Sequence, residues 1–311
     1  MVSIASPSLW FGFAALVLIV ITIDLGLGQR KAHAPSMKEA ALWTAIWVTV
    51  ALIFNYWLYR TAGREKALEF LTGYIIEYSL SVDNLFVFIM IFTFFGVGPD
   101  AQPRLLKWGI IGAVVLRAIF VALGAALLHH FHWMIYVFGA FLVFTGFKMM
   151  GHGEEEVHPN DNPLVKLTCR LIPVKTDYDG VRFFSVMNGK RVATPLLVAL
   201  VAIESTDVVF ALDSIPAIYG ITSDPFIVYT SNIFAIMGLR ALFFLLAGAM
   251  GIFQYLKMGV AIVLIFVGGK MVAASIYEIG INVSLAVVFG ILGLSILASI
   301  VKNRMGKSDH A

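Results

Sequence analysis

Long apolar runs separated by short polar turns organise this chain. Nine segments carry enough mostly apolar residues to span a bilayer, with ends good to about ±3 residues. They are 8–29, 39–60, 69–96, 105–129, 132–150, 193–219, 225–249, 252–274 and 279–301. A crossing needs about 20 such residues, and lipid leaves backbone groups no partner outside their own segment, so these runs predict helices. The third and sixth are longer than a crossing requires and are expected to tilt or break. Segment 151–192 is polar by contrast. It predicts a connector with a short amphipathic helix near Leu164–Ile172 and a hairpin turn at Asn188-Gly189.

Composition agrees. The 311 residues are 60% hydrophobic and 13% charged, where a soluble domain has about 45–50% and about 25%. So few charges cannot cover a water-soluble surface of this size. The predicted fold is an all-α membrane protein of about nine transmembrane helices. The single cysteine, Cys169, excludes a disulfide framework and any Cys-rich metal site. A net charge of +3, with the basic residues in loops, gives no reason to expect a nucleic-acid partner. The first ten residues hold no Lys or Arg and no cleavage motif follows the first apolar run, so that run is expected to remain in the mature protein. No HExxH, GxSxG or P-loop pattern is present, and no enzymatic activity is expected.

Lysine and arginine set the expected orientation. With the N-terminus outside, sixteen of the 22 Lys and Arg fall in cytoplasmic segments. The outer loops hold three, Arg60, Arg64 and Lys66, and three more, Arg117, Arg240 and Lys270, lie inside spans. The expectation is an inner-membrane protein with a cytoplasmic C-terminus.

The chain also repeats itself. Ser81–Phe88 (SVDNLFVF) matches Ser205–Leu212 (STDVVFAL), the sequence around Arg117 matches that around Arg240, and GAFLVFTGFKMM matches VAIVLIFVGGKMV. Asp83 precedes Arg117 by 34 residues and Asp207 precedes Arg240 by 33. Each unit has three spans, so one cytoplasmic connector between them forces opposite orientations, the inverted-repeat plan of many secondary transporters. The expected organisation is an N-terminal helix pair (1–68), a first three-helix repeat (69–150), the connector (151–192), a second repeat (193–274), and a last helix with a cytoplasmic tail (275–311).

Six carboxylates fall inside spans: Asp24, Glu77, Asp83, Glu204, Asp207 and Asp213. Each costs roughly 2.5–3.5 kcal/mol at a helix centre, so six unpaired would cost about 15–20 kcal/mol. They must face one another, cations or water. Arg117 and Arg240 are the internal charge-pairing candidates, and the excess negative charge calls for protons, a divalent cation, or both. The surrounding ligands, Asn84, Ser81, Ser205, Thr206 and Ser214, are hard oxygen donors that suit Mg, Ca or Mn better than Zn or Cu. Met90 shares a face with Asp83 and reads as packing, with a softer metal contact the alternative. At 100° per residue a straight helix cannot aim Glu204, Asp207 and Asp213 at one ion. Pro216 suggests a way out, a break within 209–216 that exposes the Leu212 carbonyl as a ligand, against an ordinary packing kink. Asp24 either caps or pairs near Arg30 or joins the site.

Other charged groups have plainer readings. Lys270 evokes a retinal Schiff base, but its repeat mate Lys148 sits at a helix end and snorkelling accounts for both. His129, His130 and His132 form an outer turn, and His152, Glu154, Glu155, Glu156 and His158 a solvated acidic run.

The segments EYSLSVDNLFVFIMIF (77–92), AIESTDVVFALDSIPAIYG (202–220) and FFSVMNGKRVATPLLVAL (183–200) resemble the signatures of the TerC family. The length and N-terminal pair look like its Alx-type branch. The resemblance covers nearly the whole chain. It implies a member of the LysE-like transporter superfamily, with links to manganese export, alkaline response and, by name, tellurite resistance. The family's acidic motif falls on Glu77, Asp83, Asn84, Glu204, Asp207, Asp213 and Ser214, the expected metal ligands. The expected function is export of divalent cations, Mn²⁺ foremost, through a carboxylate-lined site at the repeat interface, coupled to protons. No permanently bound cofactor is expected; the partners are the cation, protons and the bilayer. The alternatives are a Ca²⁺ or small-solute exporter, or a membrane scaffold or sensor that aids protein insertion through the connector.

Overall fold

The computed structural model describes residues 3–27, 36–131, 133–151, 162–187, 189–247, 255–274 and 279–308, without the side chains of 21, 23–27, 83, 86 and 303–308. Its elements are α1 (Pro7–Leu27), α2 (Met37–Thr61), α3 (Arg64–Phe95), α4 (Gln102–His130), α5 (Met134–Gly151), α6 (Pro163–Leu171), β1 (Phe184–Met187), β2 (Lys190–Ala193), α7 (Pro195–Tyr219), α8 (Pro225–Met237), α9 (Leu239–Ala247), α10 (Leu256–Ala273) and α11 (Ile281–Ser308).

Local chemistry sets the boundaries. Ser36 caps α2 by accepting a hydrogen bond from the Glu39 amide. α3 stops where Gly96 turns left-handed at φ 65°, and the Val97 amide bonds back to the Phe92 carbonyl at 2.8 Å. Prolines stand in the first turns of α4, α6, α7 and α8, where a missing N–H costs nothing.

Seven helices are long and apolar enough to cross a membrane: α2, α3, α4, α5, α7, α10 and α11, the last counted over Ile281–Lys302. α8 and α9 meet at a bend of 43° and make an eighth if counted as one span. Of the nine spans read from hydropathy, seven or eight meet that length and composition among the described residues; α1 is a helix of 21 residues whose side chains are described through Val20 and at Thr22. The chain is an integral membrane protein built almost wholly of helices.

Two expectations about breaks are corrected. α7 runs unbroken from Pro195 to Tyr219 with Pro216 inside it, so the Leu212 carbonyl is not exposed by a break within 209–216. Pro216 falls in the last turn, and the chain beyond it is held by bonds from the Gly220 amide to Pro216 O and from the Thr222 amide to Ile218 O. α3, the other long span, is also one helix. The break lies instead at Gly238, inside the segment read as a single span over 225–249.

α3, α7, α8 and α10 carry much of the buried surface, whereas α2 and α5 expose most of theirs. α3 packs on α8 and α7, α4 packs on α7 and α8, and α5 packs along α10. Each helix of the 69–150 unit thus meets helices of the 193–274 unit. The α5–α10 crossing is close because glycines stand back to back: a Cβ at Gly139 would lie 2.8 Å from the Gly268 carbonyl oxygen. Lipid gives apolar helices no hydrophobic reason to associate, so such small-residue contact is a main source of attraction between them.

In the connector, α6 and the hairpin form as expected, the hairpin pairing Phe184 with Ala193 and Met187 with Lys190. Gly189 has φ 73°, as its turn demands; Asn188 and the acidic run at 152–158 lie outside the described residues. The Tyr178 hydroxyl donates to the Phe95 carbonyl at 2.6 Å, tying the connector to the end of α3. Burial pushes that hydroxyl above the ordinary tyrosine range.

Candidate functional site

Four helices bring charged or amide side chains to one buried point. Glu77 comes from α3, Arg117 from α4, Asp207 and Ser214 from α7, and Asn232 from α8. Arg117 is 1% exposed and Glu77 0%. Arg117 Nη1 donates toward Glu77 Oε1, Ser214 Oγ and Asn232 Oδ1, each at 2.6 Å. One Nη carries two protons, so three acceptors compete for them. Arg117 Nη2 lies 3.5 Å from Asp207 Oδ1. Two carboxylates thus share one guanidinium.

Polar capacity is left over here. Glu77 Oε2, Asp207 Oδ2, Arg117 Nε and Asn232 Nδ2 are buried without a hydrogen-bond partner. Native buried polar atoms are nearly all paired, and the other such atoms, Thr44 Oγ1, Asn55 Oδ1 and Tyr74 OH, belong to α2 and α3. The two free carboxylate oxygens are hard donors of the kind Mn²⁺, Mg²⁺ or Ca²⁺ takes.

The sequence-predicted ligands do not form one cluster. Glu204 is close enough to interact electrostatically with Asp207, and its carboxylate lies against Gly112 of α4. Asp213 faces the opposite way on α7, where Thr145 of α5 donates to it at 3.2 Å and the charge of Lys148 reaches it. Since α7 is one continuous helix, neighbours Asp213 and Ser214 point about 100° apart. Asn84 and Ser81 are buried on α3. Ser205 accepts from Asn162 Nδ2 at 2.5 Å, and both Ser205 and Thr206 donate to the Ala202 carbonyl. The side chains of Asp83 and Asp24 lie outside the described residues. Among the described residues, no group of three or more His, Cys, Asp and Glu is gathered so as to hold a metal ion. Arg240 stands at the start of α9, just past the bend.

Sequence reasoning missed Asn232 and Gly112. Asn232 had a signal: Thr230, Ser231 and Asn232 are three successive polar residues in an apolar span, all fully buried. Gly112 had none.

Residues 62–307 match the model of the integral membrane protein TerC family. An uncharacterized membrane protein of Myxococcus xanthus is 50% identical over 99% of this chain and 97% of its own length. Alx of Escherichia coli (strain K12), named as a proposed membrane-bound redox modulator, is 49% identical over 95% of each chain. An uncharacterized membrane protein of Rickettsia felis is 38% identical over 97% of this chain and 99% of its own. No solved structure matches.

Proposed function

From the premise that this chain belongs to the TerC family of integral membrane proteins, we propose that it exports divalent cations, Mn²⁺ foremost, from the cytoplasm. The observation that carries the reading is the pair of buried carboxylates, Glu77 and Asp207, each with one oxygen on Arg117 and one without a partner. Arg117 acts as the built-in counter-cation of the two carboxylates before a metal cation binds. A divalent cation takes the free oxygens and draws the carboxylates away from the guanidinium, with Ser214 and Asn232 as further oxygen donors. Asp83, Asn84, Glu204 and Asp213 complete the path or carry protons. Ligands must be deprotonated to hold metal, so protons and metal compete, and export runs against proton entry. The packing of α3 and α4 on α7 and α8, with α5 on α10, supports an inverted repeat rocking about this point. The Lys and Arg bias supports a bacterial inner-membrane setting with the N-terminus outside.

The redox role in the name of the Escherichia coli relative has no dithiol counterpart within one chain here, because Cys169 is the single cysteine.

The test is Mn²⁺ flux in proteoliposomes, beside Asp207→Asn and with an imposed pH gradient. Flux in the native protein that the variant lacks and the gradient drives is the expected result. If both proteins fold and neither moves Mn²⁺, the metal is wrong. If flux ignores the gradient, proton coupling is wrong.

A further inference from the structure

A short run of the connector, residues 178–183, is fastened to the ends of three helices. At α3, the Tyr178 hydroxyl donates to the carbonyl of Phe95, the last residue of that helix, at 2.6 Å. At α4, the Arg104 guanidinium lies 5.3 Å from the centre of the Phe183 ring, and Trp108 meets the same ring edge-on at 6.4 Å. At α7, the cap residue Thr194 donates its hydroxyl to Arg182 O at 2.7 Å and its amide to Phe183 O at 3.0 Å. Tyr178, Val181 and Phe183 pack against the main buried core.

α3, α4 and α7 are the helices that carry Glu77, Arg117 and Asp207. Arg104 and Thr194 each stand thirteen residues from Arg117 and Asp207, about 20 Å along their helices. The run thus lies across the connector-side ends of the helices that frame the ion pair. Its hold is light. Residues 172–183 form no helix, and their one ladder contact is the bridge from Val174 to Ala193. A side chain at Gly180 would meet nothing within 4 Å. Segments with so few buried contacts open at lower cost than packed helices. α3, α4 and α7 are unbroken, and Glu77 and Arg117 are sealed from solvent. A path from the connector side to that pair therefore opens more readily at this run than within a helix.

We infer that residues 178–183 are the cytoplasmic lid of the cation path, closed in this structure and released from α3 and α4 to admit the ion. The cargo rests on the transport reading above; the position of the lid does not.

The test uses the full chain with Cys169→Ser and two measurements. In the first, Ala113→Cys is the reporter. Ala113 is 4% exposed and lies one turn from Arg117, on the same face and toward the connector side. A charged, membrane-impermeant methanethiosulfonate applied to that side is expected to react slowly. Tyr178→Phe removes one hydrogen bond and is expected to speed the reaction roughly fivefold, and Phe183→Ala at least as much. In the second, Tyr178→Cys and Phe95→Cys are bridged by a cleavable reagent about as long as a tyrosine side chain. The bridge is expected to stop Mn²⁺ flux in proteoliposomes, and its reduction to restore it, whereas a merely structural tie would leave flux unchanged. Flux that continues with the bridge formed overturns the lid. A reaction rate at residue 113 indifferent to both substitutions also overturns it. Faster reaction in a protein that moves no Mn²⁺ upholds the lid and rejects the metal.

Discussion

Arg117 Nη1 and Glu77 Oε1 stand 2.6 Å apart, with both side chains sealed from solvent. Such a pair is costly to break from one side. Arg117→Met leaves Glu77 and Asp207 as buried carboxylates without their cation, and removing one partner of a buried pair costs about 3–5 kcal/mol. Adding Glu77→Gln to that variant removes one stranded charge. The expected order of thermal stability in detergent is native, then the double variant, then Arg117→Met alone. A double variant no more stable than Arg117→Met would show that the ion pair does not set the energetics here.

The Glu204 carboxylate occupies the space that a side chain at residue 112 would take. Gly112→Ala is therefore expected to push that carboxylate aside and to destabilise the protein by about 1 kcal/mol, the low end of the cost of overpacking because the clash is with the end of a flexible side chain. In a Glu204→Ala background the space is open, and the same substitution is expected to be neutral or to gain up to about 1 kcal/mol from helix propensity. Thermal unfolding of the four proteins measures the coupling. Equal cost in both backgrounds would mean that Gly112 answers to some other neighbour.

Charge was the most legible feature of this sequence. Lipid makes an unpaired carboxylate so costly that the intramembrane carboxylates had to meet one another, cations or water, with Arg117 and Arg240 as internal partners, and the structure has Glu77 and Asp207 on Arg117. The geometry of packing was not legible. Asn232 carries no charge, so its place beside Arg117 depends on how α8 meets α4. Pro216 removes a hydrogen bond and so suggests either a break or a packing kink, yet near a helix end that loss changes little. Gly238 bends the chain without any forbidden chemistry, and nothing in hydropathy marks it. Asn162 and Ser205 are 43 residues apart, a contact that no local pattern carries.

Pro216 lies within the continuous helix α7. Pro216→Ala restores one N–H to the last turn and is expected to change stability by no more than about 1 kcal/mol and to leave Mn²⁺ flux unchanged. Thermal unfolding and the proteoliposome assay together check this. A drop in flux of roughly tenfold without loss of stability would return the Leu212 carbonyl to the list of ligands.

Asp224 performs two tasks that one substitution can separate. Its Oδ1 accepts from the Phe226 amide at 2.9 Å, capping α8, and from the Ser3 hydroxyl at 3.0 Å. Its Oδ2 accepts from the Ile4 amide at 2.8 Å and so fastens the N-terminal segment to the start of α8. Asp224→Ala removes both functions, and the lost cap alone costs about 1 kcal/mol. Asp224→Asn keeps an oxygen for the cap but sets an NH₂ group against the Ile4 N–H, two donors facing each other. Amide hydrogen exchange distinguishes the two effects. Exchange at Ile4 is expected to speed up in both variants, whereas exchange at Phe226 is expected to speed up only with alanine. Ile4 protection equal to that of the native protein in both variants would mean that the N-terminal segment is held by the packing of Ile4 and Ala5 against the aromatic cluster around Phe226, with Asp224 serving α8 alone.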